Sequence, residues 1–345
     1  MKKMLALLLA LVMVLSLAAC ASSQPAAAST ETAETTETTE PAAEESAEAP
    51  AESGKTYTVG VCQLVQHEAL DAATQGFVDA LKEELGDAVT VDVQNASGDS
   101  VNCGTIVNGF VSKGVDLIMA NATPALTAAV SATADIPILG TSITAYGVAL
   151  DIDDFNGTVG GNVSGTSDLA DLQAQAQMIL DWFPETKTVG LLFCSAEPNS
   201  RYQIDEVRKA LEAQGVTCEE FAFTDSNDVS SVTQKAADFS DVVYIPTDNT
   251  AASNTEAIAN VTVPAKTPVI AGEEGICKGC GVATLSISYY DLGMTTGKMA
   301  AKILKGEADI STMPVEYTDA TPKYNASVCE QLGITPLDGY EAIEG

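Results

Sequence analysis

The chain runs through one α/β pattern twice, and a duplicated pattern of that kind admits few folds. The first copy opens on the short apolar run Val59-Gly60-Val61, passes through a helical run holding Gly76, and reaches a second apolar run at 89–93. The polar Gly98-Asp99-Ser100 follows, then Asp116-Leu117-Ile118-Met119, a loop with Pro124, and Ile136-Pro137-Ile138-Leu139-Gly140. The second copy opens 130 residues after the first, on Val189-Gly190-Leu191. It continues through a helical run, Gly215-Val216, Ser226-Asn227-Asp228, Asp241-Val242-Val243-Tyr244, a loop with Asp248-Asn249, and Thr267-Pro268-Val269-Ile270-Ala271. Short β-branched runs bounded by Gly, Pro or Asp, alternating with helical patterns, are the signature of parallel βαβ units. The expected fold class is therefore α/β, with two doubly wound parallel-sheet lobes joined by a hinge and a ligand cleft between them.

Helical stripes support the alternation. Leu70, Ala73, Phe77, Leu81 and Leu85 recur at helical spacing after the first strand, and Ile204, Val207 and Leu211 do so in the second half. A third stripe, Leu169, Leu172, Ala176, Ile179 and Phe183, lies between the copies, with Ser167 or Asp168 as its expected cap. The glycine-rich 160–165 suits a crossover out of lobe one, 285–288 a crossover back, and 315–317 a third crossing. These readings place lobe one at 55–164 plus 289–316 and lobe two at 165–288 plus 317–345.

In doubly wound sheets, ligands sit beyond the carboxyl ends of the strands, in the loops that lead into helices. That rule selects 63–67, 121–124 and 141–144 in lobe one, and 197–200, 247–249 and 272–274 in lobe two. The candidate ligand residues are Gln63, Leu64, His67, Thr123, Thr141, Ser142 and Ser167, facing Glu197, Asn199, Ser200, Thr247, Asp248, Asn249 and Glu273. Asp248 is the expected partner of a ligand ammonium, because an ammonium buried without an anion is costly. Asn199 and Ser200 open a helix whose N-terminus favours a carboxylate, and Ser200, Thr141 and Ser142 supply hydroxyl donors. Glu197 and Asn249 add polar contacts, and Leu64 is an apolar wall. The only arginines are Arg201 and Arg208, so an arginine clamp on a carboxylate is not the obvious design.

The flanks and the composition narrow the function further. Lys2 and Lys3, the apolar run from 4 to 17, and Leu17-Ala18-Ala19-Cys20 followed by small residues read as a signal peptide over 1–19. The ending resembles a bacterial lipobox, with Cys20 as the lipidated residue. Residues 20–54 are nearly all Ala, Thr, Glu, Ser and Pro and read as a disordered, self-repelling tether. A formal charge of −32 over 345 residues disfavours nucleic acid and anionic lipid as partners. Seven cysteines remain after Cys20, so they cannot all pair within the chain. Cys277-Lys278-Gly279-Cys280 has redox spacing but comes late in the second copy, which leaves a small exported disulfide or two free thiols. With His67 the only histidine and no second Cys-x-x-Cys, a metal site is not expected. Catalysis is not expected either, since Ser200 has no histidine in its own lobe and no G-x-S-x-G elbow is present.

At five colinear segments the chain resembles a known family. These are GVCQLVQHEALDAATQGFVDAL (60–81), NVSGTSD (162–168), EPNS (197–200), YIPTDN (244–249) and ISYYDLGMTTGKMAAKILKGE (287–307). Together they resemble the ABC-transporter substrate-binding proteins of the tryptophan-transporter-like type, over nearly all of 57–335. The resemblance implies periplasmic-binding-protein type I architecture with three hinge strands, no cofactor and no catalysis. It implies an aromatic amino acid such as tryptophan or phenylalanine as ligand, delivered to the transmembrane subunits of an ABC permease. The expected protein is a monomer on the extracytoplasmic face of the membrane, held there by lipid alone. A sensor or adaptor with the same two-lobed body and another small ligand is the alternative. One departure stands out: where relatives carry an acidic residue after the Gly-Thr-Ser-x-Thr loop, this chain has Ala145-Tyr146.

Overall fold

Fully buried apolar strands build the core of each half. In the computed structural model, which describes residues 55–344, the chain alternates strand and helix through both copies. The segment expected to be a signal peptide, Cys20 as the expected lipidation site and the expected tether, residues 1–54 in all, lie outside the described residues. The first half runs β1 (Tyr57–Gln63), α1 (Glu68–Leu85), β2 (Val89–Asn95), α2 (Ser100–Lys113), β3 (Leu117–Asn121), α3 (Thr123–Ala132), β4 (Ile138–Ile143), α4 (Tyr146–Ala149) and β5 (Val163–Ser167). The second half begins with α5 (Leu172–Trp182), β6 (Thr188–Cys194), α6 (Pro198–Glu212), β7 (Thr217–Phe223), α7 (Val229–Phe239) and β8 (Val242–Ile245). It goes on through α8 (Asn249–Ala252), α9 (Thr255–Ala265), β9 (Val269–Ala271), α10 (Glu274–Cys280) and β10 (Ala283–Ser286). The chain then returns through α11 (Tyr289–Lys305) and β11 (Glu316–Tyr317), and ends with β12 (Thr321–Tyr324), α12 (Ala326–Leu332) and β13 (Glu341–Ala342).

Two sheets result. One has the order β11-β5-β4-β3-β1-β2 and the other β13-β12-β10-β9-β8-β6-β7. All pairings are parallel except β10 with β12. Every residue of β3, β4 and β8 is buried, as expected of parallel strands covered by helices on both faces. The two copies are thus two doubly wound sheets, each with its own apolar core.

Three segments cross between the sheets. The first leaves after β5, which remains in the first sheet to Ser167, so 165–167 lie with lobe one rather than with lobe two. The glycine-rich stretch supplies a tight turn at Gly160 and Gly161, both at positive φ, and is not itself the crossover. The second crossing is Ile287-Ser288, between β10 and α11. The third follows β11, whose Tyr317 pairs with Ser167 in the first sheet; Tyr317 therefore also sits with lobe one. Helix α11 packs directly against α1, backbone on backbone. A Cβ added at Gly293 would lie 2.0 Å from the Ala73 oxygen, and one at Gly76 2.1 Å from the Tyr290 oxygen. Glycine is the residue that permits this approach.

Local chemistry corrects one expected cap. Helix α5 is capped by Asp171, whose carboxylate accepts from the Gln173 and Ala174 N–H groups. Ser167 and Asp168 are left for other work.

Candidate functional site

The strand ends of the two sheets meet around a small, partly open cavity. His67 follows β1, Ser142 and Thr144 follow the core of β4, and Asp168 follows β5. From the other sheet come Asn199 after β6, Thr247, Asp248 and Asn249 after β8, and Glu273 after β9. Leu70, Ala252 and the Tyr289 ring complete the wall. Among the residues lining the cavity there is no lysine or arginine. Both arginines of the chain are held by Glu220, Arg201 at 2.7 Å and Arg208 in direct contact. An arginine clamp is therefore absent from this site.

Seven of the residues expected from sequence line this cavity: His67, Ser142, Asn199, Thr247, Asp248, Asn249 and Glu273. The other seven serve the framework. Gln63 is tied to Val65, Asp71 and Thr74. The Thr141 hydroxyl joins those of Thr166 and Thr296 in a buried triad under the sheet. Thr123 is buried at the start of α3. Ser167 donates to the Thr144 oxygen and accepts from Leu169, which shapes the first crossing. Ser200 donates to Asp248. Glu197 accepts from both the backbone and side chains of Asn249 and Thr250, and with Leu64 lines a separate groove at the rim.

Asp248 lines the cavity but is already heavily bonded to the framework. Its Oδ2 accepts from the Cys194 N–H at 2.6 Å and the Ser200 hydroxyl at 2.8 Å, and its Oδ1 from the Ala251 N–H at 2.8 Å. Both oxygens are thus committed to holding the ends of β6 and β8 and the start of α6. Glu273 is committed likewise, capping α10 through the Gly275 and Ile276 N–H groups.

Asp168 is different. It is 4% exposed, and its Oδ2 accepts from the Tyr289 hydroxyl at 2.9 Å while its Oδ1 has no partner. Burial pushes its carboxyl above the ordinary range, and the Tyr289 hydroxyl pulls it back toward ionisation. A carboxyl oxygen left open in a cavity fits a cationic ligand group, whose charge would favour the ionised form. Sequence reading passed over Asp168 because it took this segment for a hinge and a helix cap. The strand-end rule, applied to β5 as it had been to the other strands, would have found it.

Three more buried atoms without partners belong to residues that line the same cavity: Ser142 Oγ, Asn199 Oδ1 and His67 Nδ1. Buried polar groups are nearly always hydrogen-bonded, so four such atoms around one space mark it as built for a polar ligand. Ser142 also sits at φ +56°, where β4 shifts register between Gly140 and Ile143. A non-glycine residue held there costs about 1–3 kcal/mol and is characteristic of ligand clamps.

The departure at Ala145-Tyr146 has a structural role. The fully buried Tyr146 hydroxyl donates to the Thr166 oxygen at 3.2 Å and reaches the Ser164 oxygen at 3.5 Å, bracing β5 from behind.

Two contacts span the lobes beside the cavity. His67 Nε2 meets Asn249 Oδ1 at 3.2 Å, and Lys278 pairs with Glu68 at 3.0 Å. Cys277 and Cys280 are buried on α10, and burial pushes both thiols up, so neither is a nucleophile.

The buried acids give a pH prediction. Burial, with the Glu197 charge adding, pushes Asp248 up to about 8, and burial pushes Glu273 up to about 7. Both stand far above the ordinary carboxyl near 4. The fold therefore binds more protons than the unfolded chain between those values, and stability falls as pH rises through the window. The melting temperature of the unliganded protein is expected to drop between about pH 5 and pH 8. A flat or rising curve over that range, read by calorimetry, would contradict the assignment.

Comparison with known proteins agrees with this geometry. Residues 58–339 match the family model described as ABC transporter substrate binding protein. A tyrosine-binding protein of Clostridioides difficile (strain R20291) is 33% identical over 276 residues, 78% of this chain and 79% of that protein. Among solved structures, an ABC domain from Streptococcus pneumonia in complex with L-Trp is 32% identical with a TM-score of 0.79, covering 84% of this chain and all of that one. A ligand-free, open substrate-binding protein with adhesive properties from Clostridium difficile is 34% identical, covers 84% of this chain and 99% of that one, and has a TM-score of 0.64. At nearly equal identity, the ligand-bound structure superposes better, in keeping with the contacts that draw the lobes together here.

Proposed function

Because the chain belongs to the family of ABC transporter substrate-binding proteins, we propose that it binds an aromatic amino acid between its lobes, with the ligand ammonium on Asp168. Members of this family are binding proteins of type I periplasmic-binding-protein architecture, not enzymes. The observation that carries the ligand reading is the unpartnered Asp168 Oδ1, beside Tyr289 at 2.9 Å, in a cavity lined by no lysine or arginine. Leu70, Ala252 and the rings of His67 and Tyr289 offer apolar surface for a side chain. The tyrosine-binding and tryptophan-bound relatives support an aromatic one. Ser142 Oγ, at the end of the strand beside β5, is placed to donate to the ligand carboxylate.

In the cell, the loaded and closed form is handed to the transmembrane subunits of a permease. Closure follows ligand because the ligand touches both lobes at once and so binds the closed form better. Cys20, beyond the described residues, carries the lipid that keeps the protein at the outer face of the membrane, a reading that rests on Leu17-Ala18-Ala19-Cys20.

A thermal-shift screen of the twenty amino acids tests the ligand class. L-tyrosine or L-tryptophan at a hundred times its dissociation constant is expected to add about 2.7 kcal/mol of apparent stability. A shift with acidic, basic or aliphatic amino acids and none with aromatic ones would overturn the reading.

A further inference from the structure

Resting on that reading, we infer that the site selects an aromatic ring bearing a hydrogen-bond donor, tyrosine or tryptophan but not phenylalanine, through His67 Nδ1 and Asn199 Oδ1. The hydrogen-bond network fixes what each of these atoms can do. Asn249 Nδ2 donates to Glu197 Oε2 at 2.6 Å, so Asn249 Oδ1 is the amide oxygen and can only accept. His67 Nε2, 3.2 Å from that oxygen, must therefore carry the ring proton. Burial holds the imidazole neutral, so Nδ1 is a bare acceptor. Asn199 is fixed in the same way. Its Nδ2 donates to the Thr247 oxygen at 3.0 Å and to Glu197 Oε2 at 3.2 Å, which leaves Oδ1 as the open atom.

The cavity thus presents two neutral acceptors besides the Asp168 carboxylate, all without partners. His67 and Asp168 come from well-separated strand ends. Asp168 follows β5 and His67 follows β1, and these strands are separated by β4 and β3 in the sheet order. Three strand spacings of about 4.8 Å put the two positions roughly 14 Å apart along the sheet, and the side chains converge from there on the space between. Asn199 is joined to His67 through Glu197 and Asn249, and to the Thr247 oxygen beyond β8. A ligand whose ammonium is on Asp168 therefore points its ring toward His67 and Asn199. A phenol O–H or an indole N–H satisfies an acceptor there. A phenyl ring leaves both buried and unpaired, and sites built to bond a substrate hydroxyl reject the analogue that lacks it.

The test is calorimetry with L-tyrosine, L-tryptophan and L-phenylalanine on the whole protein and on His67→Phe and Asn199→Leu. In the parent, phenylalanine is expected to bind at least about tenfold more weakly than the better of the other two. In at least one variant that ratio is expected to fall toward one, whatever happens to absolute affinity, which a merely structural role would not produce. Equal binding of phenylalanine by the parent overturns this inference and leaves the aromatic reading standing. So does a large ratio unchanged in both variants. Failure of all three amino acids to bind the parent overturns both.

Discussion

Replacing Asp168 by Asn is expected to weaken binding of the aromatic amino acid at least about thirtyfold while leaving the unliganded protein as stable as the parent, or more so. The substitution keeps the shape of the side chain and can keep the Tyr289 contact, which is 2.9 Å in the parent. What it removes is the one buried carboxylate oxygen in the cavity that has no partner in the fold. Removing one member of a buried charge pair costs about 2–5 kcal/mol, and every 1.4 kcal/mol is tenfold in affinity. Stability moves the other way because the fold itself works to hold this carboxyl: burial raises its pKa, so a neutral amide is easier to bury. Calorimetric titration together with a melting curve separates the two effects. Unchanged affinity would remove Asp168 from the site. A collapsed melting temperature would mean that Asp168 is structural. Asp248→Asn is expected to lower the melting temperature and leave affinity nearly unchanged, because an amide NH2 cannot accept the N–H and O–H bonds by which the two Asp248 oxygens hold the framework.

The second large effect is on the fold. Gly165→Ala is expected to destabilise the protein by about 3–5 kcal/mol, roughly 10 °C in melting temperature. Gly165 lies in the middle of β5 at φ +142°, a conformation that L side chains rarely adopt. An added Cβ would lie 2.0 Å from the Gly140 oxygen and 2.4 Å from the Tyr146 hydroxyl. The oxygen belongs to the neighbouring strand and the hydroxyl to a fully buried ring, so neither can move without shifting β4 against β5. Those two strands carry Ser142 and Asp168, so whatever protein folds should also bind poorly. A melting temperature within 2 °C or so of the parent would show that the strand pair yields more easily than its packing implies.

The duplication made the architecture legible, because burial of parallel strands writes itself as apolar runs at strand length. The stripes of α1, α5 and α6 were equally plain, since helical spacing of Leu70, Phe77 and Leu81, or of Ile204, Val207 and Leu211, has one cheap explanation. The strand-end rule picked loops that border the cavity, and half of its candidate side chains line it. It could not tell which polar groups face the cavity and which hold the loop, because that depends on partners far away in sequence. Asp248 is committed through Cys194, 54 positions before it. Thr141 is taken up by Thr296, 155 positions after it. Asp168 is turned toward the cavity by Tyr289, 121 positions away. A residue's hydrogen-bond balance is a tertiary quantity, and the candidates that failed were those whose partners the linear pattern does not display. The exit of β5 was misplaced for a related reason. Glycines at 160–165 mark both a turn and a close strand contact, and composition alone does not separate these.

The central claim is that Asp168, and not Asp248, receives the ligand's positive charge at the hinge end of the cleft. A crystal structure of the protein with L-tyrosine or L-tryptophan tests it most directly. The predicted result is the ligand nitrogen within hydrogen-bond distance of Asp168 Oδ1, with the ring directed toward His67 and Asn199. A ligand lying the other way round, with its nitrogen on Asp248 or Glu273, or one seated outside this cavity, would contradict the account.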